Sequence, residues 1–187
     1  LYAGTLALSG AGTIAGGSSI AATLNRGATL LINDTGTAVA NRLGGRPVSL
    51  TSGTLSYIAN GTAASSETLG ALTTTVGNNV IQITNNGSAA GSLTFSSMAA
   101  IGGGVVLTFQ SGTLFGSNQN QLRFNSIPAL TGSILARAVV SDPSGTTFAG
   151  TQVISGGTVS IVPFSYSNYA LNNGTTIAMA GTSGVTG

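Results

Sequence analysis

Residues 80–95 read VIQITNNGSAAGSLTF, and this stretch contains the pattern that decides the fold. Ile81 and Ile83 alternate with other residues, and Leu93 and Phe95 repeat the alternation after a break. Alternation with a period of two is typical of a β-strand with one buried face. Between the two runs lies Asn86-Gly87, a pair that readily adopts the positive φ angles of a tight turn. The stretch therefore predicts a strand, a turn and a second strand.

The same pattern extends along the rest of the chain. Further alternating runs are Leu6 and Leu8, Val48 and Leu50, Val105, Leu107 and Phe109, and Leu122 and Phe124. The best candidate for a helix, residues 63–72, contains Ser65, Ser66 and Gly70, which weaken helices. We therefore predict an all-β chain. Its predicted turn residues are Asn60, Gly61, Asn86, Gly87, Asp142, Pro143, Gly145, Asn173 and Gly174.

Charged residues are scarce in this chain of 187 residues. Five arginines and three acidic residues make up 4% of the sequence, whereas globular domains average about 25%. Cys, His, Trp and Lys are absent. The thiol and amine nucleophiles, the usual general base and the commonest metal ligands are therefore missing. The composition predicts a protein that is not an enzyme and that binds no cofactor or metal.

Composition also argues against a disordered chain, a transmembrane helix and a nucleic-acid-binding protein. Apolar residues make up 42% of the sequence, whereas disordered chains combine low hydrophobicity with high net charge. No run approaches the roughly 18 consecutive apolar residues of a transmembrane helix. We therefore expect a folded chain without a transmembrane helix. We expect no binding to nucleic acid either, because the arginines are dispersed at Arg26, Arg42, Arg46, Arg123 and Arg137.

Short phrases recur at unequal distances along the chain. Gly-Thr-Leu occurs at residues 4–6, 53–55 and 112–114. A β-propeller or a strictly periodic repeat would show a constant period. Unequal spacing instead predicts a parallel β-solenoid, or parallel β-helix, with irregular coils of about 20–25 residues if each coil holds three short strands. At about 22 residues per coil the chain would form about eight coils.

The composition suits a parallel solenoid, in which equivalent residues of successive coils stack on one another. Stacked like charges would repel, whereas Thr, Ser and Asn can form hydrogen bonds along the stack. Glycine allows the sharp corners between strands. A β-sandwich is the alternative fold, but its outer faces usually carry more charge.

Several phrases in order resemble the autotransporter-associated beta-strand repeat proteins, and the resemblance covers about residues 4–150. The phrases are Asn41-Arg42-Leu43-Gly44, Gly53-Thr54-Leu55-Ser56-Tyr57, Ser65-Ser66-Glu67-Thr68-Leu69-Gly70-Ala71-Leu72, Val80-Ile81-Gln82-Ile83, Asn120-Gln121-Leu122-Arg123-Phe124 and Pro128-Ala129-Leu130-Thr131-Gly132-Ser133-Ile134-Leu135. The resemblance implies a secreted or surface-exposed bacterial β-solenoid and brings no catalytic residues. It further implies that residues 1–187 are one segment of a longer repetitive chain, with the next repeat beginning after about residue 150.

The three carboxylates are the residues to weigh for acid and base catalysis. Asp34, Glu67 and Asp142 are 33 and 75 residues apart in sequence. With coils of about 22 residues, these separations predict different faces or distant coils, whereas glycosidase carboxylates lie about 5–9.5 Å apart. We expect Asp34 and Asp142 to act in turns, and Glu67 to accept hydrogen bonds from the backbone or to pair with an arginine.

Two other motifs resemble patterns that bind a dinucleotide or ice. Residues 10–15 fit the dinucleotide pattern G-x-G-x-x-A, but no helix signal follows that would hold a phosphate. Thr73-Thr74-Thr75 is similar to a fragment of an ice-binding threonine ladder, but the triplet does not recur along the sequence.

The sequence thus predicts an extracellular or cell-surface bacterial protein with a structural role, as part of a fibre, stalk or surface layer. Its expected partners are further copies of itself or neighbouring coils of a longer chain, because the ends near Leu1 and Gly187 carry no polar cap. The alternative is an adhesin module that binds glycans or host surfaces through residues 112–120 or 164–173. Its candidate ligand or assembly surface consists of Phe164, Tyr166 and Tyr169.

Overall fold

The computed structural model describes residues 1–14 and 19–165, which form thirteen strands and no helix. The all-β prediction is confirmed, and residues 63–72 lie mostly within a strand. The strands are β1 Thr5–Leu8, β2 Ala22–Asn25, β3 Thr29–Asn33, β4 Val48–Thr51, β5 Thr54–Ile58, β6 Ser65–Thr74, β7 Gly77–Thr84, β8 Gly91–Met98, β9 Val105–Ser111, β10 Gln121–Phe124, β11 Ala138–Asp142, β12 Gly145–Ser155 and β13 Thr158–Pro163.

The chain winds as a parallel β-solenoid with two sheets. The first sheet contains β1, β3, β5, β7, β9 and β11, all in parallel pairs. The second sheet contains β2, β4, β6, β8 and β10, again in parallel pairs. Each coil therefore passes once through each sheet. This architecture confirms the predicted solenoid rather than the alternative β-sandwich.

The described coils begin within the predicted length of 20–25 residues and become longer along the chain. Equivalent positions in the first sheet are 24, 25, 26, 28 and 31 residues apart, at Thr5, Thr29, Thr54, Val80, Thr108 and Val139. The prediction of about eight coils with three strands each is wrong, because each coil has two strands. The remaining length lies in the connections between the sheets. One connection, residues 34–47, contains the fully buried Arg42 and Leu43.

Inward side chains form columns along the solenoid. The longest column in the first sheet consists of Leu6, Leu30, Leu55, Ile81, Phe109 and Val140. All of its members are at most 2% exposed except Leu6, at the N-terminal end, which is 42% exposed. In the other sheet, Phe95 and Phe124 stack with ring centroids 5.1 Å apart. The core is therefore a continuous apolar stack, and Leu6 is the exposed member of the first-sheet column.

An antiparallel hairpin ends the parallel stack on the C-terminal side. Residues 145–148 of β12 pair with β11, and residues 149–155 of the same strand pair with β13. Strand β13 in turn pairs antiparallel with β10. The hairpin therefore covers the last parallel strands of both sheets. In the resulting strand order, β1 and β2 are the two terminal strands of the described sheet.

The predicted turn residues Asn60, Gly61, Asn86 and Gly87 lie between strands, as expected. Asn60 Oδ1 accepts hydrogen bonds from the backbone N–H groups of Thr62 and Ala63, and Gly61 has a φ of 81°. At the next turn Asn85, rather than Asn86, accepts a hydrogen bond from the N–H of Gly87.

The turn between β11 and β12 also forms where it was predicted. Asp142 Oδ1 accepts a hydrogen bond from Ser144 N at 2.9 Å, Pro143 lies between them, and Gly145 has a φ of 121°. The predicted turn residues Asn173 and Gly174 lie outside the described residues.

Candidate functional site

Asp34 and Glu67 converge on Arg42 in the interior of the solenoid. Arg42 Nε donates to Asp34 Oδ1 at 2.8 Å, and both side chains are fully buried. Glu67 accepts hydrogen bonds from the backbone N–H groups of Arg42, at 2.9 Å, and Leu43, at 3.2 Å. The prediction that these carboxylates lie far apart is wrong, because the long connection over residues 34–47 passes beside β6. The expected role of Glu67 as an acceptor of backbone hydrogen bonds is confirmed.

The Arg42 side chain joins two successive coils. Its Nη1 donates to Gly12 O at 2.7 Å, and its Nη2 donates to Gly10 O and Thr37 O, both at 2.9 Å. Gly10 and Gly12 follow β1, whereas Asp34 and Thr37 follow β3. Through its backbone N–H, Arg42 also contacts Glu67 in β6, so three coils meet at one residue. The glycine carbonyls of residues 10–12 therefore bind a guanidinium.

Two hydroxyl groups complete this cluster. The Tyr57 hydroxyl lies 3.1 Å from Asp34 Oδ2 and 3.0 Å from Ser65 Oγ. Ser65 Oγ accepts a hydrogen bond from Asn60 N at 2.9 Å, and Asn60 Nδ2 donates to Asp34 O at 2.8 Å. The predicted turn residue Asn60 is thus tied to the buried charges.

Burial dominates the electrostatics of the cluster. Burial raises the pKa of the Glu67 carboxyl above its ordinary value, although the backbone hydrogen bonds from Arg42 and Leu43 oppose the shift. Burial also raises the pKa of Tyr57 far above its ordinary value, and the nearby Asp34 carboxylate adds to the shift. The interior therefore favours the neutral form of both groups.

The arrangement suits a structural cluster better than a reaction centre. A general acid or base must come within about 3 Å of a substrate atom. Asp34 and Glu67 are fully buried, and their oxygens contact protein donors. Asp142 is similarly engaged, because it accepts hydrogen bonds from Phe115 N and Ser144 N. Within residues 1–14 and 19–165, no group of three or more acidic, His or Cys side chains could hold a metal.

The predicted adhesive surface is only partly described. Phe164 lies at the C-terminal hairpin, where its N–H donates to Phe148 O at 2.9 Å. The two rings help to line a shallow apolar groove with Val139 and the aliphatic parts of Thr146 and Thr147. Tyr166 and Tyr169 lie outside the described residues.

The second predicted adhesive loop, residues 112–120, is fixed by burial and by hydrogen bonds to Ser111 and Asp142. Phe115 is buried and its N–H donates to Asp142 Oδ2, while the fully buried Asn120 contacts the side chains of Ser111 and Thr113. Leu114 is the one large apolar side chain that this described loop exposes.

The threonine triplet belongs to two rows of hydroxyl side chains, one that crosses three coils and one that crosses two. Thr73 is in register with Ser49, and Ser49 is in register with Thr23. Beside this row, Thr51 Oγ1 lies 2.7 Å from Thr75 Oγ1. The rows are visible only once the register is known, because Ser49 and Thr23 do not repeat the triplet in sequence.

The N-terminal end of the described solenoid exposes several apolar side chains. Leu1, Tyr2, Leu6 and Ile20 are all more than one-third exposed. A groove at this end is lined by Leu1, Leu6, Ile14, Leu24, Leu30 and Leu43, together with Ala21, Ala22, Thr23 and Arg46. We call this surface, together with the edges of β1 and β2, the open end. The lack of a polar cap near Leu1 was predicted from the sequence, whereas the residues that form this surface were not.

Comparisons with known proteins identify no relative of this chain. A scan against protein-family models finds no match, and searches of curated proteins and of solved structures find no significant match. Within the part of the chain that the structure describes, there is no helix that could cross a membrane.

Proposed function

We propose that this chain is a non-enzymatic structural protein, a β-solenoid segment that builds a fibre, stalk or surface layer outside a bacterial cell. The order of phrases that resembles the autotransporter-associated beta-strand repeat proteins supports the bacterial and extracellular setting. The near absence of charge supports close stacking of coils, since few like charges would meet.

The observation that carries the proposal is the contrast between the two ends of the described solenoid. On the C-terminal side, the β12–β13 hairpin pairs with the last strands of both sheets. On the other side, β1 and β2 each have a partner on one edge only among the described residues. Such edges favour pairing with another chain or coil. The open end is therefore the proposed site of assembly.

Assembly at the open end would be driven mainly by apolar burial. Leu6 faces the core but is 42% exposed, and among the described strands β1 pairs on one edge only. Burying a leucine completely contributes about 1.5–3 kcal/mol, so covering Leu6 and its neighbours would stabilise a contact substantially. Backbone pairing along β1 and β2 would also fix the direction and register of the strands in the contact.

The buried cluster around Arg42 supports the same role in another way. Because one guanidinium contacts the two coils nearest the open end, those coils are fixed relative to each other. Buried polar networks that are fully satisfied make a structure rigid. A rigid surface loses little entropy when it binds, which favours stacking.

Sedimentation analysis over a range of concentrations tests the proposal. We expect the unmodified chain to self-associate and Leu6→Lys to weaken association at least about tenfold, since the charge would be buried at the contact. Ile154→Lys is the matched control, because Ile154 is also 42% exposed but lies in β12 at the other end. A monomeric unmodified chain, or equal effects of the two substitutions, would contradict assembly through the open end.

The alternative function, an adhesin module that binds glycans, draws support from the groove between Phe148 and Phe164. Exposed aromatic rings can stack on apolar faces of sugars, and Phe148 is 51% exposed. Replacing Phe148 and Phe164 with serine is expected to abolish binding to a glycan array while leaving sedimentation unchanged. Array binding that survives both substitutions would remove this candidate surface.

A further inference from the structure

Asparagine followed by glycine is a pair whose carboxamide can react with the chain itself. Two such pairs lie within the described residues, at Asn60-Gly61 and Asn86-Gly87. In this reaction the backbone nitrogen of the glycine attacks the side-chain Cγ of the asparagine. Glycine permits the approach because it has no Cβ to hinder it. The reactivity of each pair in the folded chain then depends on how the structure holds the carboxamide and the attacking nitrogen.

The Asn60 carboxamide is held at both of its polar atoms. Oδ1 accepts hydrogen bonds from Thr62 N at 3.2 Å, Thr62 Oγ1 at 2.7 Å and Ala63 N at 2.9 Å. Nδ2 donates to Asp34 O at 2.8 Å. Loss of Nδ2 as ammonia would break the bond to Asp34, and a tetrahedral Cγ would disturb the three bonds at Oδ1. The fold therefore protects Asn60.

The Asn86 carboxamide is held far less firmly. Asn86 is exposed, and none of the described residues forms a hydrogen bond with its side chain. The restraint acts on the attacking nitrogen instead, because Gly87 N donates to Asn85 Oδ1 at 3.0 Å. Asn85 is itself buried and donates to two backbone carbonyls, both at 2.8 Å. One hydrogen bond thus opposes reaction at Asn86, whereas four hold the carboxamide of Asn60.

We propose that Asn86 is a modification site, at which the folded chain deamidates through a cyclic imide. The bond from Gly87 N to Asn86 Cγ forms while the bond from Cγ to Nδ2 breaks, and the proton of Gly87 N leaves with Nδ2 as ammonia. Water then opens the ring. Addition of water at Cγ gives aspartate, and addition at the backbone carbonyl gives isoaspartate. Either product replaces a neutral side chain with a carboxylate.

Isoaspartate at residue 86 would alter the contact between successive turns. Ala89 N donates to Gly61 O at 3.1 Å, and a Cβ on Gly87 would overlap that same oxygen. The turn therefore has no room to spare beside Gly61. Isoaspartate lengthens the main chain by one carbon between residues 86 and 87, so it would displace Gly87 from this contact. We expect the modification to weaken the stacking of these two coils.

Peptide mapping by mass spectrometry tests the proposal on the unmodified chain. Glu67 lies between the two pairs, so digestion after Glu67 places Asn60 and Asn86 in different peptides, and fragmentation locates the modified residue. In the folded chain at mildly alkaline pH, we expect Asn86 to deamidate at least about tenfold faster than Asn60. In concentrated urea the two rates should become similar, because both pairs lose their hydrogen bonds. A folded-state rate at Asn60 that equals or exceeds the rate at Asn86 would overturn the proposal. So would an unreactive Asn86 in the folded chain while the unfolded chain reacts.

Asn85→Ala tests the restraint on Gly87 N. Removal of the acceptor should speed deamidation of Asn86 about fivefold in the folded chain, and it should have little effect in urea. The Asn60 peptide of the same digest is the control for a general loosening of the fold, and its rate should not change. An unchanged rate at Asn86, or an equal rise at Asn60, would overturn the assignment of Gly87 N as the restrained atom.

Discussion

Arg42 and Asp34 form an ion pair whose two side chains are fully buried, with Arg42 Nε 2.8 Å from Asp34 Oδ1. Removing two charges from water costs several kcal/mol per ion, which their attraction offsets only with good geometry and further hydrogen bonds. Here three backbone carbonyls accept hydrogen bonds from the two terminal nitrogens of the guanidinium. The pair therefore fixes the path of residues 34–47 across the coil.

Replacing Arg42 with methionine is expected to lower the free energy of unfolding by about 3–5 kcal/mol. The substitution keeps much of the side-chain volume but leaves the Asp34 carboxylate buried without its cation. Urea denaturation measures the effect. Arg26→Met is the control, since Arg26 is exposed and a change within about 0.5 kcal/mol is expected there. A small effect at Arg42 would mean that the pair contributes little to stability.

Glycine 87 provides a test of the close contact between successive turns. A Cβ at Gly87 would overlap the backbone of Gly61 in the preceding coil, and backbone cannot move aside cheaply. Gly87→Ala should therefore cost about 1–3 kcal/mol, as overpacking usually does. Gly112→Ala is the control, because no atom lies within 4 Å of the position of its Cβ and its φ is not positive. Similar melting temperatures for the two variants would contradict the stacked turns.

The strands were predictable because alternation is local, whereas the coil length was not. Ile81 and Ile83 indicate a buried face from their own spacing. Nothing comparable marks residues 34–47 as a connection that returns through the interior. Its Asn41 has a φ of 56°, and its Arg42 binds carbonyls from another coil. That placement depends on contacts between coils, which spacing along the chain does not encode.

The proximity of Asp34 and Glu67 was missed for the same reason, because it arises from the connection over residues 34–47, whose Arg42 contacts both carboxylates. A signal was nevertheless present. Arg42 lies between Asn41 and the pair Gly44-Gly45, in a chain with only eight charged residues. A rare arginine among turn residues indicates pairing with one of the three carboxylates. The reversal at Asp142 was predicted as a turn, but alternation alone does not distinguish the antiparallel β12 from another parallel strand.

Glu67→Gln tests the electrostatic cost of the buried carboxylate through its dependence on pH. The pKa of Glu67 is raised in the folded chain, so its protonation stabilises the fold below its ordinary pKa of 4.5. That stabilisation is lost as the pH rises through the raised pKa. We therefore expect the wild type to lose stability relative to Glu67→Gln as the pH rises above about 4.5. Urea denaturation at several pH values measures the difference, and a constant difference would contradict the raised pKa.

Tyr57→Phe tests the second group of the cluster whose pKa is raised, at alkaline pH. Near neutrality the variant should lose about 1–2 kcal/mol, because Asp34 Oδ2 loses its hydroxyl donor. Above the ordinary tyrosine pKa of 10.0, however, the unfolded wild type releases a proton that the folded Tyr57 retains. The wild type must then lose stability as the pH rises, so its advantage over Tyr57→Phe should shrink.

Denaturation of both proteins at about pH 8 and about pH 11 measures that change in the difference. Tyr2→Phe is the control, since Tyr2 is 80% exposed and the substitution should leave stability unchanged at both values. Ultraviolet absorbance of phenolate provides an independent readout, because the signal lost in Tyr57→Phe should appear in the wild type only well above the ordinary tyrosine pKa of 10.0. If Tyr57 ionised at that ordinary pKa, its hydroxyl would be open to water, and the closed cluster that fixes residues 34–47 would be refuted.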